Sequence, residues 1–317
     1  MTQITRRQAL AAGLAVAASA LLSRRCAASA IDRKMTLNLV CGAIGVQATQ
    51  IEAIALAHAA GFESVEARPD YLAGLSDGEL STLKADLAAK KLVWGAAGLP
   101  VEFREDEARF NADLKELPRL AAGLKRAGVT RVGTWIRPSH PSLSYIQNFR
   151  QHARRLRAIA QVLHDAGIRF GLEYVSPKTS WTASRHSFVH SMTETKDLIA
   201  EIHVPGVGFV LDSWHWYNAQ ETVDDLMTLT NEQIVAVDLN DAPAGIPIDQ
   251  QMDLSRELPA ATGVIDVGAF LGALIRLGYD GPVRAEPFNA ALNRLPKEEA
   301  VSATIRAMKK AFALAKV

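Results

Sequence analysis

The chain has 317 residues, 49% of them hydrophobic and 22% charged, with 35 Lys+Arg against 34 Asp+Glu. This is globular composition, and it excludes a disordered chain, a collagen-like repeat and a disulfide-stapled miniprotein. The even charge balance argues against a protein that grips nucleic acid through bulk positive charge, and the two cysteines, Cys26 and Cys41, form no CxxC metal pair.

Residues 1–30 read as a cleavable export signal. Thr5-Arg6-Arg7-Gln8-Ala9-Leu10 leads into an apolar, Ala-rich run that ends at Leu22, and Ala28-Ser29-Ala30 supplies a small-residue cleavage site. Paired arginines before a modest apolar run resemble a twin-arginine signal, although Ala9 stands where that pattern usually has Phe, so the Sec route stays open. The apolar run is shorter than the ~20 residues a spanning helix needs, so no stable membrane anchor is expected. Cleavage after Ala30 removes Arg6, Arg7, Arg24 and Arg25, takes the formal charge from +1 to −3, and leaves a periplasmic or secreted domain over 31–317.

From there, short apolar runs alternate with longer amphipathic stretches. The strand–helix pairs fall at 37–43 with 47–60, 63–67 with 76–90, 92–97 with 105–127, and 131–136 with 142–166. Four more follow at 169–174 with 193–202, 207–211 with 222–229, 234–239 with 267–277, and 282–286 with 298–315. Gly61, Gly128, Gly167 and Gly278 follow helical stretches, where a left-handed stop is expected. Nearly continuous apolar strands suit a sheet covered on both faces. Eight βα units predict an α/β protein, a single (β/α)8 TIM barrel, and no GxGxxG follows the first strand to favour a doubly wound sheet. The segment 240–263 is long enough to read as a functional βα loop.

Active sites of such barrels lie at the C-terminal ends of the strands. There the chain places Glu173, Asp212, Asp238 and Glu286, closing the fifth to eighth strands directly after apolar residues. Carboxylates converging on one point repel and take up protons unless a cation neutralises them, and hard oxygen donors suit Mn²⁺ or Mg²⁺. Asp241 reads rather as a helix cap or an ion-pair partner.

Gly208-Phe209-Val210-Leu211-Asp212-Ser213-Trp214-His215-Trp216, Val237-Asp238-Leu239-Asn240-Asp241-Ala242 and Ala285-Glu286-Pro287-Phe288 resemble the xylose isomerase-like TIM barrels, in particular the inosose isomerase and ketose 3-epimerase branch. The resemblance spans roughly 36–315. It implies a divalent metal held by Glu173, Asp212, the position of Asp238, and Glu286, with Glu173 and Glu286 also serving as base and acid. The family usually has His where Asp238 stands. Four carboxylates make a harder site, which favours Mn²⁺ or Mg²⁺ over Co²⁺ or Zn²⁺.

The resemblance also implies that His215 bonds a substrate oxygen and that Arg256 stabilises a developing oxyanion; the plainer alternatives are a loop-capping imidazole and a solvated arginine. Glu66, ending the second strand, either reaches the pocket or forms an exposed salt bridge. Trp181, with His186, Trp214 and Trp216, either walls the pocket or belongs to ordinary packing. The function implied is isomerisation or epimerisation of a sugar, ketose or inosose through an ene-diolate. A metal-dependent lyase or dehydratase on a keto-sugar or inosose is the alternative, and a non-catalytic sugar-binding barrel the third. The expected partner is a small carbohydrate or polyol, with no nucleic acid; barrels of this group often associate, so a homo-oligomer is also expected.

Overall fold

The structure, a computed structural model, describes residues 33–315. The expected export signal at 1–30 lies outside the described residues. The strands are β1 (Thr36–Leu39), β2 (Ser64–Ala67), β3 (Val93–Gly98), β4 (Arg131–Trp135), β5 (Ser139–His140), β6 (Arg169–Glu173), β7 (His186–Ser187), β8 (Val207–Asp212), β9 (Ile234–Leu239) and β10 (Pro282–Ala285). Eight of them close a parallel barrel in the order β1-β10-β9-β8-β6-β4-β3-β2, and β5 pairs antiparallel with β7 outside it. No helix among the described residues is long and apolar enough to cross a membrane.

The helices start where side chains satisfy their free N–H groups. Thr49 and Ser76 form capping boxes with Glu52 and Glu79 ahead of Gln50–Ala60 and Asp77–Ala89. Asp106, Ser191 and Asp266 accept from backbone N–H groups at the starts of Glu107–Ala127, Met192–Ile202 and Val267–Arg276. Gly61 and Gly128 close two helices in the left-handed conformation that a Cβ would strain.

Each predicted pair is present, with local differences. The first strand stops at Leu39 because a 3-10 turn, Gly42–Ile44, follows almost at once. The helix expected at 222–229 shrinks to Val223–Leu226. An additional short helix, Ser213–Asn218, leaves β8 directly, because the Asp212 carboxylate accepts from Trp214 N at 2.8 Å and caps it.

The barrel interior is narrowed by glycine on one side. Gly133, Gly171 and Gly208 pair in register across β4, β6 and β8. A Cβ on Gly133 or Gly171 would approach Val210 Cγ2 at 2.9 or 2.8 Å, so Val210 fills the space those side chains would take. The layer above is polar. Asn38, Arg284, Asp238 and Asp212 stand side by side on β1, β10, β9 and β8.

The segment 240–263 folds back over the barrel mouth through a two-residue bridge, Asp241 to Glu257. Asp241 is its anchor, not a helix cap: its carboxylate accepts from Ala242 N, Thr262 N, Gly263 N and Ile265 N at 2.7–3.0 Å. Behind β6, Tyr174 donates its hydroxyl proton to Glu221 Oε2, and Met192 N donates to Glu221 Oε1 at 2.7 Å.

Two predictions follow from this packing. A Cβ on Gly208 would lie 2.2 Å from the backbone oxygen of Gln233, so Gly208→Ala should destabilise the fold by about 1–3 kcal/mol in urea unfolding. Burial pushes the Glu221 carboxyl from its ordinary 4.5 up to about 7. Between those values the folded chain keeps a proton that the unfolded chain has released, so stability falls as pH rises through the window. Unfolding at pH 5 and pH 8 should therefore show a larger loss for the wild type than for Glu221→Gln; equal losses would contradict the buried-acid account.

Candidate active site

The barrel brings Glu173, Asp212, Asp238 and Glu286 to one point. Each offers a carboxylate oxygen, and the four oxygens lie within 4.8 Å of one another. Glu173, Asp212 and Asp238 are buried, and the Glu286 side chain is only 13% exposed.

Two arginines reach into this cluster. Arg256 comes from the long loop and donates to Asp212 Oδ2 at 2.7 Å, Asp253 Oδ1 at 2.8 Å and Glu286 Oε2 at 3.2 Å. Its guanidinium lies 4.7 Å from the Phe288 ring centre and 5.5 Å from that of Trp214. Arg284, two residues before Glu286 on the same face of β10, grips both oxygens of Asp238 at 2.6 Å and Glu286 Oε1 at 2.8 Å. Asn240 braces the centre, donating from Nδ2 to Asp212 Oδ1 and accepting Glu286 N at its Oδ1.

His215 is fully buried. Its Nδ1 accepts Ser176 N at 3.3 Å. Its Nε2 lies 3.4 Å from Arg256 Nη2, which also donates to Asp253 Oδ1, and 3.6 Å from Glu173 Oε1. Burial, reinforced by Arg256, pushes the imidazole down to about 3, so the ring is neutral.

The carboxylates behave oppositely. Burial, then repulsion from Glu286, Asp238 and Asp212, holds Glu173 well above the usual range. Burial raises Asp212 to about 7 against the pull of Arg256, and it raises Glu286 against the pull of Arg284.

The residues fit a divalent cation. Glu173 Oε1 is buried with no hydrogen-bond partner. The two guanidiniums offset two of the four carboxylates, and the donors are hard oxygens with the His215 nitrogen beside Glu173 and Asp212. Asp238 brings its own counter-charge in Arg284.

The cluster opens into a cavity of about 1180 Å³. Glu66 lines it from β2, with its carboxyl raised by burial, and forms no salt bridge among the described residues. Arg256 is 2% exposed, which removes the solvated reading. Trp181 is a correction: it stacks on His190 with ring centres 4.9 Å apart, and its helix turns only Thr179 and Ser180 toward the cavity. Trp214 is buried beneath Arg256, Trp216 donates to Thr222 O in the core, and His186 sits in the β5–β7 ladder. The aromatic wall is instead Trp135, 42% exposed and 4.2 Å from the Arg104 guanidinium, together with Phe288.

Sequence reasoning missed Arg284, Asn240, Asn38 and Trp135. The two-residue period of a strand carried the signal for the first two, since Arg284 shares a face with Glu286 and Asn240 follows Asp238 by two positions.

The sequence profile of the family described as Xylose isomerase-like TIM barrel matches residues 54–311. Over 147 residues the chain is 25% identical to the inosose isomerase of Bacillus subtilis (strain 168), which is 46% of this chain and 49% of that protein. Over 155 residues it is 24% identical to the 3-dehydroshikimate dehydratase of Pseudomonas putida KT2440, which is 48% of this chain and 23% of that one. The matches thus span about half of the first relative and under a quarter of the second. Among solved structures, a xylose isomerase domain protein from Alicyclobacillus acidocaldarius superposes with a TM-score of 0.77 at 29% identity, covering 90% of this chain and 100% of that one. The IOLI protein, crystallised with a bound zinc atom, superposes with a TM-score of 0.72 at 20% identity, covering 88% and 98%. With a closed eight-stranded barrel and a profile match across most of its length, the chain belongs to the xylose isomerase-like TIM barrel family.

Proposed function

We propose that the protein is a divalent-metal-dependent isomerase or epimerase of a sugar, ketose or inosose. The observation that carries this reading is the convergence of Glu173 and Glu286, both with raised proton affinity, on one cavity beside an unpartnered carboxylate oxygen. Glu173, Asp212, Asp238 and Glu286 would hold the cation, which supplies Lewis acidity to adjacent carbonyl and hydroxyl oxygens of the substrate; Mn²⁺ or Mg²⁺ suits the oxygen-rich set.

The chain's own groups would do the rest. Glu173 on β6 and Glu286 after β10 approach from separated strands, so one carboxylate takes a carbon-bound proton and the other returns it. Burial raises the proton affinity of both carboxylates above the ordinary range. The neutral His215 ring, held by Ser176, lines the cavity and would bond a substrate hydroxyl. Arg256 holds Asp212 and Glu286 in place and adds positive charge where an oxyanion develops. Reaction outside the cytoplasm is part of the proposal, on the twin-arginine-like pattern at residues 5–10 and the Ala28-Ser29-Ala30 site.

A second reading, a lyase that expels a β-oxygen from the same intermediate, is favoured by the cavity. At about 1180 Å³ it exceeds the ~300–1,000 Å³ usual for small-ligand pockets and leaves room for a leaving group. One experiment addresses both. Protein incubated with Mn²⁺ in D2O and a panel of ketoses and inososes should exchange a carbon-bound proton next to the carbonyl. Glu173→Gln and Glu286→Gln should each slow that exchange by about 10²–10⁴-fold. A product of unchanged formula supports the isomerase, and loss of water supports the lyase. No exchange above the buffer rate with any member would leave a sugar-binding barrel as the better account.

A further inference from the structure

Three of the four clustered carboxylates are clamped by guanidiniums, Asp212 by Arg256, Asp238 by Arg284 and Glu286 by both. No guanidinium pairs with Glu173 among the described residues, and its Oε1 has no hydrogen-bond partner. The aim of Glu173 therefore depends on the backbone that carries it. That backbone leaves the barrel at once: Ile136 N donates to Glu173 O at 2.8 Å, and β6 ends there. Three residues on, the chain is tied to the next βα connection, where Ser176 donates from N to His215 Nδ1 at 3.3 Å and from Oγ to His215 O at 2.6 Å.

Tyr174, between them, is anchored more deeply. It is 1% exposed, and its ring packs against His215 with ring centres 6.3 Å apart. Its hydroxyl donates to Glu221 Oε2, while Glu221 Oε1 accepts Met192 N at 2.7 Å, at the start of the helix Met192–Ile202. The Glu221 backbone N–H donates to Trp216 O at 3.1 Å, within the short helix that carries His215. Burial, then the neighbouring Glu221, holds the Tyr174 hydroxyl protonated well above its ordinary range, so it stays a donor. The other charges near Glu221 are engaged elsewhere: Asp225 accepts from Thr222, and Lys196 donates to Thr228 Oγ1. An acid here loses hydration without an ion pair among the described residues, and an apolar pair of the same shape would hold the fold about as well. The chain keeps the bond, between the segment behind Glu173 and the segment behind His215.

We propose that the Tyr174–Glu221 hydrogen bond is a positioning brace, which holds the end of β6 against the His215 helix and so sets the aim of the Glu173 carboxylate beside His215. The proposal rests on the metal-dependent reading of the site, and the brace acts on that site from outside the cavity, which neither side chain lines. Successive residues of a strand point to opposite faces, so Glu173 faces the cavity while Tyr174 faces the helical layer. A shift of Tyr174 passes to Glu173 through one peptide unit, and no bond to Glu173 Oε1 corrects it. The same shift reaches His215, which Tyr174 packs against and which lies 3.6 Å from Glu173 through its Nε2.

Calorimetric titration with Mn²⁺ tests the brace in the wild type, Tyr174→Phe, Glu221→Ala and Glu221→Gln. Tyr174→Phe and Glu221→Ala should each weaken manganese by about three- to tenfold, less than the ~10–100-fold usual when a group bonded directly to a ligand is lost. Glu221→Gln, whose amide still bridges Met192 N and Tyr174 Oη, should stay within about twofold of the wild type. Ile305→Val, which removes a buried methyl group in the helix Lys297–Ala313, destabilises the fold and should leave the affinity unchanged. The metal-free protein gives a second readout: the ¹H–¹⁵N resonances of the His215 ring should move in Glu221→Ala, return in Glu221→Gln and stay in place in Ile305→Val. Affinity and ring resonances that ignore Tyr174→Phe and Glu221→Ala, with only stability lost, would overturn the brace, as would an equal loss of affinity in Ile305→Val. A wild type that takes up no manganese would remove the metal-dependent reading, and the brace would then stand or fall on the His215 resonances.

Discussion

Burying four carboxylates within 4.8 Å of each other is the constraint around which this barrel is arranged. Each charged oxygen loses its hydration and repels its neighbours, so the cluster either gains matching positive charge or takes up protons. The chain supplies part of that charge itself. Arg284 clamps Asp238 and reaches Glu286, and Arg256 clamps Asp212 and the other oxygen of Glu286. Glu173 is left with an oxygen that has no hydrogen-bond partner among the described residues. The fold's irregularities cluster at the same place. The Asp212-capped helix presents His215, the loop tied down by Asp241 delivers Arg256, and Asn240 bridges the ends of β8 and β10.

The in-register row Asn38–Arg284–Asp238–Asp212 connects this cluster to the opposite wall. An ordinary barrel fills such a layer with branched apolar side chains. Here the layer is polar, and small residues such as Gly95 and Gly133 keep space beside it. Asp238 belongs to that row, and its pairing with Arg284 makes it one half of a charge pair.

Much of this was legible from the residues. Strand 234–239 matches β9 residue for residue, because the β-branched and apolar run Ile234–Val237 continues through a single acid, Asp238, to Leu239. The acids at the ends of four successive strands pointed to one rim, and the barrel topology brings them together. What escaped reading depended on side chains meeting across long separations. Arg284 looks like any surface arginine until strand alternation places it beside Asp238, 46 positions earlier in the chain. Trp181 sits in a four-residue helix whose direction no periodicity could fix, and it turned away from the cavity. Ser213–Asn218 is too short to show a helical repeat; only its cap, a residue already assigned to the site, announces it.

The account's central claim is that the uncompensated carboxylates hold one divalent ion. The direct measurement is metal content per chain by elemental mass spectrometry, on protein purified without chelator, for the wild type and for Glu286→Gln. The account predicts about one Mn, Mg, Co or Zn per wild-type chain and a loss of most of it in the variant. A wild-type chain that carries no divalent ion, even after Mn²⁺ is supplied, or a variant that retains its ion in full, would contradict it.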